Sequence, residues 1–163
     1  MGNNRIRRTI TPFLRACTVW IFAVGVAVAE CREDTVFLRG DWGSARFSVE
    51  IADDPREQAI GLMNRESLAL SAGMLFVYPT PRPARFWMRN TLVPLDMLFI
   101  DRRGVVTRIH HEAKPLDETS IFGGDAVLAV LEINGGMARR LGITEGTAVR
   151  HPAFADQSPE WPC

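Results

Sequence analysis

A chain of 163 residues, 47% hydrophobic and 23% charged, has the mass for one domain with a real core, and its composition excludes a disordered polymer. Nineteen Lys and Arg balance 19 Asp and Glu, and no basic block is present, which argues against nucleic acid as a partner.

The first 29 residues do not read as part of that domain. Arg5, Arg7, Arg8 and Arg15 form a basic start without an acid, and an apolar run of 14 follows from Ala16 to Ala29. Ala27-Val28-Ala29 supplies an A-x-A cleavage site before Glu30. This pattern predicts a secretory signal peptide cleaved after Ala29, and hence a periplasmic or extracellular protein. The run is shorter than the roughly 20 residues that cross a bilayer, so no stable membrane span is expected after cleavage. Arg7-Arg8 alone does not make a twin-arginine signal, and Glu30 before Cys31 spoils a lipobox. Removing four arginines leaves 15 cations against 19 acids, a net charge of −4. Cys31 and Cys163 remain, one at each end, and an oxidising compartment favours their pairing. A Cys31–Cys163 bridge would close a long loop and add roughly 4 kcal/mol in the chain-entropy view. The alternative is two free thiols on unstructured tails.

Residues 30–44 read as a lead-in. Phe47, Val49 and Ile51 then alternate with Ser48 and Glu50, a half-buried strand. Asp54-Pro55-Arg56-Glu57 supplies an N-cap, a proline at the first helical position and a capping-box acid. The helix is expected over 55–64, burying Ala59, Leu62 and Met63, with Gly61 marking a close packing contact. Strands are expected at 74–78 and 84–88, separated by the proline-rich connection 79–83. Further strands are expected at 95–100 and 105–111, joined by the turn Asp101-Arg102-Arg103-Gly104. A long loop over 112–125 precedes an apolar strand at 126–133, and a loop of that length suits function better than idleness. Asn134-Gly135-Gly136 turns into a short helix at 137–141, capped by Gly142, and a last strand spans 147–151. The tail, 152–163, reads as extended. The predicted class is a β-rich α+β domain over 45–151: a mostly antiparallel sheet or half-open barrel with two short helices.

The densest stretch is Phe86-Trp87-Met88-Arg89-Asn90-Thr91-Leu92-Val93-Pro94-Leu95-Asp96. Polar groups this close to a buried strand either find hydrogen bonds or line a site. With Val49-Glu50-Ile51-Ala52, Gly61-Leu62-Met63-Asn64-Arg65, Gly73-Met74-Leu75-Phe76-Val77, Phe99-Ile100-Asp101, Val130-Leu131-Glu132-Ile133-Asn134-Gly135-Gly136 and Leu141-Gly142-Ile143, it resembles the DUF192 (UPF0127) family. The resemblance runs from about Phe47 to Val149. It implies a β-rich single domain, commonly exported, with no agreed activity and no catalytic residues to carry over. Thr147 stands where family members often have an acid, a minor departure.

Seven residues are the candidate ligand-binding set: Arg65, Trp87, Arg89, Asn90, Thr91, Asp96 and Glu132. Asp96 falls on the face of Leu98 and Ile100. It needs a partner there, either Arg89 or backbone N–H groups of the 90–94 turn. Glu132 ends an apolar strand and could pair with Arg65 or Arg89. Asn90 and Thr91 suit ligand donors and turn-formers equally. Trp87 reads as core, or, if exposed, as a stacking platform. Asp96 and Glu132 could alternatively form a hydrolase's carboxylate pair. His110, His111 and Glu112 are the one metal-like cluster, but adjacent strand residues point to opposite faces, so no metal is expected. No serine elbow, phosphate loop or dinucleotide fingerprint is present, and no cofactor is expected. A non-catalytic module with a polar pocket near Arg89–Asp96 fits best. Its ligand would be a small molecule or cell-envelope component, held by arginines and covered by the 112–125 loop. An envelope protein-interaction module is the third reading.

Overall fold

The computed structural model describes Met1 and residues 31–163; the leader and its cleavage site fall outside them. Seven strands form one curled sheet. In chain order they are β1 (Thr35–Gly40), β2 (Gly43–Ala52), β3 (Ala72–Phe86), β4 (Leu95–Ile100), β5 (Val106–Ala113), β6 (Ile121–Asn134) and β7 (Ala148–Arg150), with helices α1 (Pro55–Ile60) and α2 (Met137–Leu141). The spatial order is β5-β4-β6-β3-β2-β1-β7. Every pair is antiparallel except β2–β3, whose crossover carries α1. At one end the outermost strands meet: Val106 N–H donates to the Thr147 carbonyl at 2.9 Å, and Gly146 N–H to that of Val106 at 2.8 Å. Only that end closes, so the β-rich α+β fold is a half-open barrel.

Alternation along the strands gives the sheet two apolar faces. One packs Val36, Leu38, Phe47, Leu98, Leu131, Ile133, Ala138, Val149 and Phe154. The other packs Leu62, Met74, Phe76, Met88, Met97, Phe99 and Val130.

Local chemistry explains most elements. Asp54 caps α1, its Oδ1 accepting from Arg56 and Glu57 N–H at 2.7 and 2.9 Å. Glu57 reaches back to Asp53 N–H at 3.4 Å. The helix is shorter than the 55–64 expected. Gly61 takes φ 49° and ends it, so α1 itself buries nothing and Leu62 is buried in the turn beyond. The expected contact at Gly61 is there: a Cβ would lie 3.0 Å from Phe76 Cζ.

Four expectations are corrected. The sheet begins at Thr35, inside the stretch read as a lead-in. The 79–83 prolines do not divide two strands, since β3 runs through them. β3 pairs with β2 only as far as Phe76, so these prolines lie on a side already without a neighbour, where a missing N–H costs no ladder bond. The 112–125 loop shrinks to 114–120 as β5 and β6 extend into it. The tail is not extended throughout: Pro152–Gln157 forms a 3₁₀ turn that buries Phe154.

The two ends are tied together. Cys31 and Cys163 form a disulfide, with Cα atoms 5.6 Å apart. His151 Nδ1 accepts from Ala153 N–H, which leaves Nε2 to donate to the Glu33 carbonyl at 2.8 Å. Trp161 lies between the guanidiniums of Arg39 and Arg150, at 4.3 and 4.7 Å.

Candidate functional site

Among the described residues two carboxylates are buried, and the register separates them. Asp96 on β4 stands opposite Ile133 on β6, while Glu132 stands opposite Met97 on β4 and Met74 on β3. Cross-strand partners share a face and successive residues alternate. Asp96 and Glu132 therefore project from opposite faces of the sheet. The carboxylate-pair hydrolase is overturned, because no substrate bond can lie between them.

Asp96 is fully buried and saturated. Its Oδ1 accepts from Glu112 N–H at 2.8 Å and Gly136 N–H at 3.0 Å, and its Oδ2 from Ala138 N–H at 2.7 Å. These groups come from the irregular end of β5, the β6–α2 turn and the first turn of α2. Neither Arg89 nor the 90–94 turn supplies them, contrary to expectation. The residue is a staple. It holds Glu112 at φ 50°, where β5 shifts register against β4. His111 Nδ1 lies 4.0 Å from the same carboxylate and has no hydrogen-bond partner.

Glu132 is as deeply placed and has no such support. No group among the described residues bonds its carboxyl, and burial alone pushes its pKa up to about 8. It faces a cavity of ≈110 Å³. β3 lines that cavity with Phe76, Tyr78, Arg85 and Phe86, the 87–91 segment adds Trp87 and Thr91, and α1 with its turn adds Gln58, Leu62 and Met63. Phe76 and Phe86 meet edge to face with centroids 5.1 Å apart. Gln58 is fixed by donating to the Val77 carbonyl at 2.9 Å. Burial raises the Tyr78 hydroxyl's pKa; Arg82 pulls it down and Glu132 adds to the rise.

Of the seven candidates, Trp87, Thr91 and Glu132 meet in this cavity. Trp87 is 49% exposed at the rim, not core, with Arg89 4.9 Å over its ring. Arg65 does not reach Glu132; it forms a double hydrogen bond with Glu50 at 2.5 and 2.7 Å. Asn90 takes φ 55° and is a turn-former, its carbonyl accepting from Asn64 N–H at 2.7 Å. The pocket therefore lies at Glu132, on the face away from Asp96. Sequence reasoning missed Gln58, Tyr78 and Arg85. Reading 74–78 and 84–88 as one strand continuous through the prolines would have placed the last two on one element. The 114–120 loop does not cover this cavity. It packs on the 88–91 turn, Met88 N–H donating to the Asp117 carbonyl and Leu116 N–H to that of Thr91. No helix among the described residues is long and apolar enough to cross a membrane.

A β-rich half-barrel of this topology defines the class of molecule, and the family follows directly. The DUF192 family, described as an uncharacterized ACR, matches residues 36–151, and the chain belongs to it. A crystal structure of a protein of unknown function from Novosphingobium aromaticivorans is 45% identical, with a TM-score of 0.69 over 71% of this chain and 82% of that one. A second, from Sinorhizobium meliloti, described as a "putative transcription regulator", is 38% identical with a TM-score of 0.70 over 74% of this chain and 95% of that one. No curated protein matches the chain.

Proposed function

We propose that this is an exported, non-catalytic binding module for a small molecule or cell-envelope component, with the Glu132 cavity as its site. One observation carries the reading: a buried carboxyl with no protein partner faces a cavity walled by aromatics. A carboxyl with no protein donor that opens onto a cavity is free to bond what enters there. Trp87, half exposed at the rim, and the buried Thr91 orient what enters. Export is supported by the basic-apolar-small leader and by the Cys31–Cys163 disulfide, a bond that persists in oxidising compartments. The description of the Sinorhizobium neighbour would point to DNA. A net charge of −4 after the leader, with no basic block, weighs against that for this chain.

The test is a thermal-shift screen of the purified protein against organic acids, amino acids, glycans, nucleotides and metals. A ligand at 100 times its Kd should stabilise by about 2.7 kcal/mol. A hit retained by Asp96-intact protein but lost in Glu132→Leu and weakened in Trp87→Ala supports the cavity. Hits indifferent to both variants sink it. A second reading, a protein-interaction surface, is favoured by Ile60 and Trp87, 50% and 49% exposed at this rim. Cross-linking from position 60 to an envelope protein, with no small-molecule hit, would select it.

A further inference from the structure

We infer that the Glu132 cavity takes a methylated ammonium head group, with aromatic rings as its walls and Glu132 as its counterion. This rests on the cavity being the ligand site and names the class of ligand it takes.

The walls come from strand alternation. Met74 stands opposite Glu132, so β3 sends Phe76, Tyr78 and Phe86 to the same side of the sheet. Trp87 joins them at the rim, which puts four aromatic residues around one cavity. Phe76 and Phe86 meet at 88°, so two of the walls stand at right angles. Ring faces carry negative charge density, and a box of rings recognises a cation whose own surface is apolar.

No arginine already occupies the box. Arg85 leaves β3 toward the other face, where its guanidinium lies 4.9 Å over Phe122. Arg82 lies 5.2 Å over Tyr78 and Arg89 lies 4.9 Å over Trp87, but neither lines the cavity. Both are exposed, so their charges sit outside in water and salt screens them.

Glu132 is the one acid in the lining, and no ion pair among the described residues engages its carboxyl. A cation seated beside it favours the charged form and opposes the effect of burial. A bare ammonium brings three N–H donors, each needing an acceptor once water is left behind. A methylated one asks for a countercharge and apolar surface, which is what the acid, the rings, Leu62 and Met63 offer. Size agrees. At ≈110 Å³ the cavity equals about three or four liquid waters at roughly 30 Å³ each, enough for a trimethylammonium group and too little for a sugar or base.

The experiment is an NMR titration of the purified protein with choline, with ethanolamine, and with the neutral alcohol in which tert-butyl replaces trimethylammonium. Choline should shift the resonances of Gly61, Tyr78 and Trp87 and outbind the other two. Glu132→Gln keeps the size of the side chain and should weaken choline about tenfold while leaving the neutral alcohol unchanged. Trp87→Ala, a change at the half-exposed rim, should weaken choline about threefold or more. Choline keeps its charge at every pH, so its affinity should rise about tenfold from about pH 7 to about pH 9 as Glu132 ionises. The groups facing Glu132 do not confuse that reading: Met74 and Tyr78 on β3, Met97 on β4, Thr91 and Trp87 beyond β3, and Gln58 on α1. Tyr78 alone among them titrates, and burial raises its pKa above the ordinary 10.0. Vesicles separate two sources of the same head group. Co-sedimentation with phosphatidylcholine but not phosphatidylglycerol vesicles marks a lipid head group, and choline binding without sedimentation marks a free solute. Preference for ethanolamine, equal binding of the neutral alcohol, or choline affinity indifferent to pH and to Glu132→Gln overturns the methylated ammonium while leaving a ligand cavity. No shift with any probe also overturns it, and the cavity itself falls only if the thermal-shift screen gives no hit that depends on Glu132.

Discussion

Asp96 and Glu132 lie on neighbouring strands, one residue out of register, and the sheet turns them to opposite sides. Asp96 meets three backbone N–H groups from three different segments. Glu132 meets methionines and open space. The same carboxyl group is a structural staple on one face and has no protein donor on the other. What distinguishes them is the supply of donors. The irregular end of β5 and the glycine turn before α2 bring loose N–H groups to Asp96, while regular ladder on both sides of Glu132 uses every backbone donor nearby.

The largest expected effect breaks the staple. Asp96→Ala leaves three N–H groups without their acceptor and should lower stability by about 4 kcal/mol or more, read by urea denaturation. A loss under about 1 kcal/mol would show that these groups are satisfied elsewhere. Next is Cys31→Ser with Cys163→Ser. It should lower stability by about 3–4 kcal/mol and leave a single transition in which tryptophan fluorescence and circular dichroism melt together. Separate transitions would mean that the two faces belong to different cooperative units.

Glu132 should respond with the opposite sign. Glu132→Leu replaces an unpartnered acid among apolar neighbours and should raise stability at neutral pH by about 1–3 kcal/mol. The pH profile sharpens this contrast. Its folded pKa of about 8 stands above the ordinary value of 4.5, so the folded state holds the proton more tightly than the unfolded one. Stability is then free of this penalty below about pH 4.5, falls as pH rises toward about 8, and stays low beyond it. Glu132→Gln should remove that segment of the slope in urea melts taken across the range. The smallest effect belongs to Arg65. Its pair with Glu50 is exposed, and Arg65→Ala should cost only about 0.2–1 kcal/mol and leave ligand affinity unchanged. A loss of affinity would return it to the site.

Much of the scaffold was legible in sequence because it is written in short-range chemistry. Asp54-Pro55 caps its helix, Asn134-Gly135-Gly136 turns, and Gly142 ends α2 in the left-handed conformation. The half-open barrel followed from strand count and short turns. The site was less legible because it depends on register. Alternation placed Asp96 correctly with Leu98 and Ile100, but nothing local says that β4 meets β6 with Asp96 opposite Ile133. The proline run hid Tyr78 and Arg85, since prolines read as a break where they in fact mark an edge. The donors to Asp96 come from 16 to 42 residues away, a distance at which sequence pattern is silent.

The disulfide carries a mechanical consequence. Cys31 and Cys163 bracket the whole barrel, 132 residues apart in sequence. A pull applied through the chain on either side of it travels across one sulfur–sulfur bond and never loads β1, β7 or the seam between them. The barrel behaves as a bead hanging from a covalent ring, slack under tension for as long as the ring is oxidised. Stretching single molecules before and after adding reductant would show the full unfolding extension only once the ring is opened.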